Sequence, residues 1–422
     1  MVVHTNPSSI VKVGIIGGSI AGCAAAIEFS RAGYDVTVFE RSVGELKGRG
    51  AGIGTPTSML RSLIERDLID EDFPYFSLSE MPFTGRVSTT DRLGHTAWIM
   101  PVDLALLNWG DLYRNLRKRV PEDCYQQGKT VTAVKMLDQN TAEILLDDGS
   151  AHKFNLVIFA DGYRSMGRGL LCPEAELKYR GYVLWRGVLP ESELQDSDPL
   201  ETAIPRLTYK GLPGHLILYF VPGNDGSIAK GERLVNWAAY IPVRDEDLPE
   251  FLVDKNGRQQ TSSIPPGNMR LEEENRLKTL MRQHLPTYYA DIVSASQDTF
   301  AQPIYTVNIP VYYRDRLCLM GDAGALAQPF TGSGVFKGVN NAIDLMDLLY
   351  AYANDVGEAL RDWEKDQVYL GQRLVILGEQ MEQAFIWKPL DFSQADEQTT
   401  AAWWKESVTF PEEFTYAADD DS

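Results

Sequence analysis

The first forty residues alternate between apolar and turn-forming segments in a way that predicts a βαβ unit. Residues 11–16 form a short apolar run, 17–19 (GGS) break it, and 20–32 form an Ala-rich helix. The alternating stretch 35–40 (DVTVFE) then predicts a second strand. Strands joined through a helix pair in parallel, so this segment predicts the start of a parallel sheet.

Later patterns predict β structure of two further kinds. Residues 130–160 alternate between apolar and polar positions, and predict a small meander leading into a wholly apolar strand. Residues 179–243 hold several longer alternating strands, which predict an antiparallel sheet in a second domain. Helices over 339–353 and 356–382 are expected to close the chain on the first domain.

Composition and charge exclude several classes of function for a protein with this predicted fold. With 40 Lys and Arg against 59 Asp and Glu, the formal net charge is −19, which leaves no basic surplus for nucleic acid or an anionic membrane. No apolar run approaches the ~18 residues of a membrane span. Residues 1–10 show no secretory pattern, so a cytoplasmic protein is expected. The 4 cysteines and 5 histidines are scattered, which predicts reduced core cysteines and no metal site.

The turn after the first strand has the residues that a dinucleotide requires. Gly17 and Gly22 supply the tight turn and the close helix packing, and Ser19 stands where a middle glycine is usual. The following helix aims its N–H dipoles at this turn, where a pyrophosphate would lie. Glu40, at the end of the second strand, can accept a hydrogen bond from a ribose hydroxyl.

Two more carboxylates follow apolar strands farther along the chain. Asp161 stands before Gly162 in an Asp-Gly turn, and Asp322 stands in a Gly-Asp pair ahead of the loop 328–334 (QPFTGSG). Ligands of open α/β sheets bind at the carboxyl ends of the strands. Asp322 can hold a polyol hydroxyl, and N–H groups of the loop can face an anionic ring edge. Either turn taken singly is also compatible with a helix cap or a simple glycine turn.

In their order and separation the three motifs resemble the single-component FAD-dependent aromatic hydroxylases, the para-hydroxybenzoate hydroxylase-like group. The resemblance covers residues 12–382. Residues 17–22 (GGSIAG), 181–188 (GYVLWRGV) and 263–267 (SIPPG) are similar to the branch that contains 2,6-dihydroxypyridine 3-monooxygenase. The chain departs from the family at Ala325, Phe336 and Trp109, where many members have histidine, asparagine and arginine.

The resemblance implies FAD as cofactor, NADH or NADPH as co-substrate, and a set of residues along the flavin nucleotide. It implies Gly17, Ser19, Ile20, Ala21, Gly22 and Glu40 at the ADP moiety, Arg41 and the loop Gly50, Ala51, Gly52 and Ile53 along the cofactor, Asp161 and Gly162 in the Asp-Gly turn, Asp322 at the ribityl chain, and Pro329, Gly332, Ser333 and Gly334 beside the isoalloxazine.

The predicted fold class is α/β, with a Rossmann-like FAD-binding domain of glutathione-reductase type, an antiparallel β-sheet substrate domain and C-terminal helices. The FAD-binding domain is expected in three parts, at 1–80, 101–178 and 301–390. The substrate domain is expected as a hairpin at 81–100 and a sheet at 179–300, with a C-terminal tail at 391–422.

The chemistry implied is monooxygenation of a small hydroxylated aromatic or pyridine-type ring. NAD(P)H reduces FAD, dioxygen adds to give a flavin hydroperoxide, and the ring takes one oxygen atom. This reaction needs a dry cavity and a group that stabilises the ionised ring. Candidate catalytic residues are Arg186, Tyr219 and Pro329, and further candidates on the same strands are Tyr182, Trp185, His215, Asn236, Trp237 and Tyr240. Strand alternation places Tyr182 and Trp185 on opposite faces.

Other functions fit parts of the pattern. A tailoring oxygenase would hydroxylate, or insert oxygen into, a larger polycyclic product. A flavin halogenase needs a Trp-x-Trp-x-Ile-Pro element, and only residues 237–242 come near it, with the wrong spacing. A flavin-binding protein without turnover would consume no dioxygen. Both a monomer and a homodimer are compatible with the sequence.

Overall fold

The computed structural model describes residues 11–44, 46, 52–201 and 204–410. The strands of this part of the chain are β1 (Lys12–Ile16), β2 (Asp35–Glu40), β3 (Gly52–Pro56), β4 (Phe76–Gly85), β5 (His95–Asn108), β6 (Tyr125–Gln127), β7 (Val131–Asp138), β8 (Thr141–Leu146), β9 (Ala151–Phe154), β10 (Leu156–Phe159), β11 (Lys178–Pro190), β12 (Arg206–Thr208), β13 (His215–Val221), β14 (Leu234–Pro242), β15 (Gln297–Thr306), β16 (Tyr313–Arg314) and β17 (Leu317–Leu319).

The described residues also form ten α-helices of 4 to 27 residues. They are α1 (Ile20–Arg31), α2 (Thr57–Glu65), α3 (Trp109–Arg117), α4 (Met166–Leu171), α5 (Leu248–Phe251), α6 (Leu271–His284), α7 (Thr287–Ala295), α8 (Gly334–Ala351), α9 (Val356–Glu382) and α10 (Glu397–Ser407). A π-helical turn, Gln383–Trp387, continues α9.

The first sheet, called here the parallel sheet, has the strand order β16-β17-β10-β1-β2-β6. All its pairings are parallel except the β16/β17 hairpin. Strand β10 is wholly apolar and buried, because helix α1 packs on one face of this sheet and strands β8 and β9 pack on the other. The βαβ start and the return of the chain into the sheet through β10 agree with the sequence expectation.

The second sheet, called here the large sheet, has the order β15-β11-β14-β13-β12-β4-β5-β3. Its pairs are antiparallel except β12 with β4. Alternation along β11 sends Tyr182 and Leu184 into the core shared with the C-terminal helices, and Val183 and Trp185 into the core on the opposite face. The two faces of β11 therefore pack into different hydrophobic cores. Tyr182 and Trp185 lie on opposite faces, as their alternation in the sequence predicted.

The remaining elements complete the predicted α/β architecture, and the fold class is confirmed. Strands β7, β8 and β9 form the separate three-stranded meander. Within the range predicted as a tail, 391–422, α10 packs Trp404 against Phe83 of the large sheet, and this helix was not anticipated. Residues 263–267, one of the branch-like segments, are tied to the large sheet because Ile264 pairs with Ala301.

Some predicted features lie outside the described residues, namely residues 1–10, Gly50, Ala51 and the acidic end 417–422. All four cysteines are buried and unpaired. Within the described ranges, no helix combines the length and the apolar character needed to cross a bilayer.

Helices α1 and α8 cross at a point where neither has room for a larger side chain. A Cβ atom added to Gly338 of α8 would lie 2.7 Å from Cβ of Ala21 in α1. A Cβ added to Gly321, just after β17, would lie 3.3 Å from the same atom. This close packing brings the N-terminal ends of both helices to one edge of the parallel sheet.

We expect Gly338→Val to lower the free energy of unfolding by about 1–3 kcal/mol, because overpacking a tight contact forces the helices apart. The measurement is urea denaturation of the purified protein. Gly169→Val in α4 is the control, since a Cβ there meets nothing within 4 Å. Equal stability of the two variants would contradict the close crossing.

Candidate active site

Three distant segments of the chain meet at the carboxyl edge of the parallel sheet. Ile16 at the end of β1 pairs with Phe159 of β10, and Phe159 pairs with Leu319 of β17. The turn 17–19, Asp161 and Asp322 therefore follow three adjacent strands. Parallel strands end at a common edge, so the three predicted motifs are brought together by the sheet itself.

The turn after β1 is packed so closely against neighbouring backbone that two of its positions require glycine. Gly17 has φ of +100°, and a Cβ added to it would lie 2.4 Å from the carbonyl oxygen of Ala160. A Cβ on Gly22 would lie 1.9 Å from the oxygen of Gly17. Ser19 at the N-cap of α1 makes no side-chain capping bond, so the first N–H groups of the helix remain available to a phosphate.

Glu40 and Tyr125 fix the turn after β1 through hydrogen bonds to the backbone of Gly18. The buried carboxylate of Glu40 accepts hydrogen bonds from the N–H groups of Gly18 at 2.9 Å and Ser42 at 2.8 Å. The Tyr125 hydroxyl donates to the oxygen of Gly18 at 2.8 Å. Carboxylate oxygens have a further lone pair each, so the ribose contact of Glu40 stays a prediction. Arg41 beside it is exposed. Tyr125, from the edge strand β6, was missed because nothing local marks it.

Asp161 accepts a hydrogen bond from the start of helix α4. Arg168, in the same helix, connects this turn to the backbone at Asp322. Its Oδ2 accepts from the N–H of Met166 at 2.7 Å, Oδ1 is buried without a hydrogen bond, and burial raises the pKa of this carboxyl. Arg168 in α4 donates to the carbonyl oxygens of Asp322 and Ala323, both at 3.1 Å. Arg168, seven residues after Asp161 and not singled out in the sequence analysis, thus fixes the backbone at Asp322.

Asp322 faces the cavity with an ammonium group behind it. Its side chain is 39% exposed, whereas that of Lys337 in the first turn of α8 is 6% exposed, and Nζ lies 3.3 Å from Oδ1. Lys337 also donates to the oxygen of Ala325. Burial lowers the pKa of Lys337, and the charge of Asp322 opposes that fall. The pair keeps Asp322 oriented at the position predicted for a polyol contact.

The loop 328–334 is fixed by a buried carboxylate that the sequence did not indicate. Glu382 accepts from Gln328, from Arg180 at 2.8 Å and from Trp387 at 2.6 Å. Gly332 has φ of +67°, and its Cβ would lie 3.0 Å from the oxygen of Gly54. Ser333, the N-cap of α8, makes no side-chain capping bond to the helix N–H groups.

A cavity of about 510 Å³ extends from this edge to one face of the large sheet. The predicted site residues that line it are Ser19, Ile20, Ala21, Gly52, Ile53, Gly162, Arg186, Tyr219, Asp322, Pro329, Gly332 and Gly334. The other predicted residues, Gly17, Gly22, Glu40, Arg41, Asp161 and Ser333, are not part of its lining. Two uncapped helix N-termini, side-chain-free turns and Asp322 along one cavity fit an elongated anionic nucleotide such as FAD.

The edge strand β3 is held against strands β11, β13 and β14, which are not its neighbours in the order of the large sheet. Asn236 accepts from the N–H of Gly52 at 2.8 Å, and Arg186 donates to the oxygen of Gly52 at 3.4 Å. A Cβ on Gly52 would lie 2.6 Å from the ring of Tyr219. Burial raises the pKa of Tyr219 well above its usual value, while the charge of Arg186 opposes the rise. Tyr219 is therefore a neutral hydroxyl and a hydrogen-bond donor, not a base.

His215 is buried behind the cavity lining rather than in it. Its Nε2 lies 2.9 Å from Nη1 of Arg206, and its ring stacks on Tyr240 with centroids 4.3 Å apart. Since a guanidinium only donates, Nε2 accepts and the imidazole is neutral. Burial, followed by the charge of Arg206, holds the pKa of His215 well below its usual value. Trp185 and Trp237 pack on the opposite face of the sheet.

No group of three His, Cys, Asp or Glu side chains is arranged to hold a metal ion in the part of the chain that the structure describes. The cavity carries instead two arginines, one exposed carboxylate and several tyrosines.

Known proteins are similar to this chain in sequence and in fold. A family model described as FAD binding domain-like matches residues 179–306. The 2,6-dihydroxypyridine 3-monooxygenase of Paenarthrobacter nicotinovorans is 29% identical over 367 residues, covering 85% of this chain and 88% of that protein. A salicylate hydroxylase of Pseudomonas putida is 25% identical over 451 residues, covering 93% of this chain and 96% of that protein. The structure of 2,6-dihydroxypyridine-3-hydroxylase from Arthrobacter nicotinovorans has a TM-score of 0.82 at 23% identity, covering 99% and 100% of the two chains.

The fold, the cavity and the monooxygenases among these relatives mark the chain as a flavin monooxygenase that is similar to the FAD-dependent aromatic hydroxylases. Among these relatives it resembles the 2,6-dihydroxypyridine 3-monooxygenase branch, as its sequence motifs predicted.

The neutral state of His215 has a consequence for stability. Because its pKa is lower in the folded protein than in the unfolded chain, the unfolded state takes up the proton first as pH falls. The contribution of His215 to the free energy of unfolding is present above about pH 6.5 and is lost below it, by at most about 1.4 kcal/mol per pH unit.

We expect His215→Gln to flatten the pH dependence of urea unfolding below about pH 6.5, relative to wild type. His152→Gln is the control, and an unchanged slope in His215→Gln would contradict the neutral assignment.

Proposed function

We propose that the protein uses NADH or NADPH and dioxygen to hydroxylate a small hydroxylated aromatic or pyridine-type ring. The observation that carries the proposal is one continuous cavity, lined at one end by Ser19, Ala21 and Asp322 and at the other by Arg186 and Tyr219. A flavin nucleotide and an aromatic ring would share this cavity. The relatives named for hydroxylating dihydroxypyridine and salicylate support a single-ring substrate.

The residues present have the chemistry that FAD binding needs. The N-terminal N–H groups of α1 would hold the diphosphate, Asp322 a ribityl hydroxyl, and the N-terminal end of α8 the pyrimidine side of the ring system. FAD, when bound, would supply hydride acceptance and activation of dioxygen.

The substrate end of the cavity is suited to excluding water. Its lining includes Leu78, Met81, Leu104, Ile217 and Phe330. Apolar side chains on the sheet face and the loop after Pro329 leave few partners for water. A dry site protects a reactive oxygen-transferring species from unproductive decay.

Arg186 and Tyr219 would make the ring a better nucleophile. A hydroxylated ring reacts more readily when its oxygen is ionised, and a cation with a hydroxyl donor beside that oxygen lowers its pKa. Arg186 supplies the fixed positive charge, and its Nε is buried without a hydrogen-bond partner. Tyr219, kept neutral by burial, would donate to the same oxygen. These roles are positional and electrostatic, so no side chain need act as a strong base.

The test is substrate-dependent turnover by the FAD-loaded protein across hydroxypyridines, hydroxybenzoates and simple phenols. We expect at least one single-ring compound to stimulate NADH or NADPH oxidation and to gain one oxygen atom from ¹⁸O₂, read by mass spectrometry. We expect Arg186→Met to lower kcat/KM for that compound at least about tenfold, since a charge-assisted contact is lost. Arg244→Met, at a side chain 71% exposed, is the control.

Two results would count against the proposal. Nicotinamide oxidation that yields only hydrogen peroxide with every ring would remove the hydroxylation claim. Oxygen incorporation only into polycyclic compounds would favour a tailoring oxygenase instead.

A further inference from the structure

A single buried carboxylate oxygen joins the loop 328–334 to a strand of the large sheet. Glu382, at the end of α9, is 2% exposed. Its Oε2 atom accepts one hydrogen bond from the side-chain amide of Gln328 and another from Nε of Arg180 at 2.8 Å. Gln328 belongs to the loop, and Arg180 belongs to β11. The two segments are therefore bridged through one atom.

Both bridged segments carry residues that line the cavity. Gln328 and Pro329 of the loop line it, and so does Arg186, which follows Arg180 by six residues in β11. Glu382 and Arg180 themselves are not part of the lining. Glu382 therefore reaches the cavity through the two segments that it connects, and its contacts set the distance between them.

The π-helical turn after α9 provides a third donor to the same carboxylate. Nε1 of Trp387 donates to Oε1 of Glu382 at 2.6 Å. The indole ring also packs beside β11, since a Cβ added to Gly181 would lie 3.3 Å from it. Turns of this kind are frequent at functional sites. Because both oxygens of the carboxylate accept, an amide at residue 382 would turn its NH₂ group towards at least one donor.

Gln328 is oriented as a link between Glu382 and the loop. The residue is 1% exposed, and its amide nitrogen donates to Glu382. Its Oε1 atom is buried without a hydrogen bond and faces α9, 3.2 Å from the position of a Cβ added to Gly378. An unpaired buried oxygen is unfavourable, so the contact with the charged carboxylate is what sets the orientation of the amide.

We propose that Glu382 is a positioning residue that fixes the loop 328–334 relative to β11 and Arg186. The assignment rests on the proposed function, which places the loop beside the isoalloxazine and Arg186 beside the ring to be hydroxylated. Without the charge of Glu382 the loop and the strand lose their common anchor. FAD then binds more weakly, and a smaller share of the nicotinamide oxidised leads to hydroxylated product.

The first test uses FAD itself as the probe and needs no turnover. Apoprotein carrying Glu382→Gln or Gln328→Met is titrated with FAD, and the readouts are the dissociation constant and the visible absorption spectrum of the bound flavin. We expect each substitution to raise the dissociation constant at least about tenfold, as for a lost hydrogen bond to a charged group, and to change the spectrum. Glu379→Gln is the matched control: Glu379 accepts from Arg180 at 3.1 Å, its side chain is 46% exposed, and both readouts should stay at their wild-type values.

A second test starts from the β11 side of the bridge. We expect Arg180→Met to change the spectrum of bound FAD, although Arg180 does not line the cavity. For a ring that the wild-type protein hydroxylates, the ratio of product to nicotinamide oxidised should fall at least about threefold, because a small misplacement is costly to the reaction. Urea denaturation of the same samples shows that each variant is folded under the conditions of the assay.

Several outcomes overturn the proposal. They are a folded Glu382→Gln protein with wild-type FAD affinity and spectrum, an equal effect of Glu379→Gln, and variants that lose stability towards urea while both flavin readouts stay unchanged. If Glu382→Gln does not fold, Gln328→Met and Arg180→Met decide, since the bridge requires both to change the flavin spectrum.

The failure of this proposal and the failure of the proposed function give different results. A wild-type ratio of product to nicotinamide oxidised in every variant would remove the positioning role and leave the proposed function standing. Weakened FAD binding and an altered spectrum in the variants of a protein that hydroxylates no ring would remove the proposed function and leave the positioning role.

Discussion

The site depends on backbone segments approaching one another more closely than side chains would allow. Gly17 lies against Ala160, so the turn after β1 touches the end of β10. Gly338, and next to it Gly321, lie against Ala21, so the end of β17 and the start of α8 pack on α1. Without these contacts the two helix N-termini would not open onto the same cavity, and Asp322 would not stand beside the turn that precedes α1.

A second constraint acts within the large sheet, between its edge strand β3 and strands that are not its neighbours in the strand order. Asn236 and Arg186 bind the backbone of Gly52 on its two sides, which fixes β3 against β13 and β14. Charge is then distributed unevenly along the cavity. Asp322 with Lys337 lies at the nucleotide end, and Arg186 and Arg206 lie at the other. This asymmetry supports the proposal that a flavin nucleotide and an aromatic ring share the cavity.

The parts of this arrangement that could be predicted from sequence are those in which the signal is local. A glycine turn between a strand and a helix can be recognised within about ten residues of sequence. The carboxylates Asp161 and Asp322 can be recognised in the same way, because each follows an apolar strand directly. Alternation also separated Tyr182 from Trp185 correctly. The α/β fold followed from the order of such segments.

Other features depend on register or on distant partners, which the sequence does not display. The alignment of Arg206 with Arg186 needs the pairing of four strands. The support of Gln328 by Glu382 joins residues 54 positions apart. Helix α10 was missed because a mostly polar stretch, residues 393–400, precedes its buried Trp404. In each case a side chain acquires its role only from elements that the fold brings next to it.

The most direct test of the account is hydrogen–deuterium exchange of the apoprotein with and without FAD. The central claim is that residues 17–24, 160–168 and 320–335 bind a single flavin nucleotide. We expect FAD to slow exchange in peptides from all three segments, and to leave the meander at 131–146 unchanged. Protection confined to residues 17–24, with 320–335 unaffected, would contradict the claim.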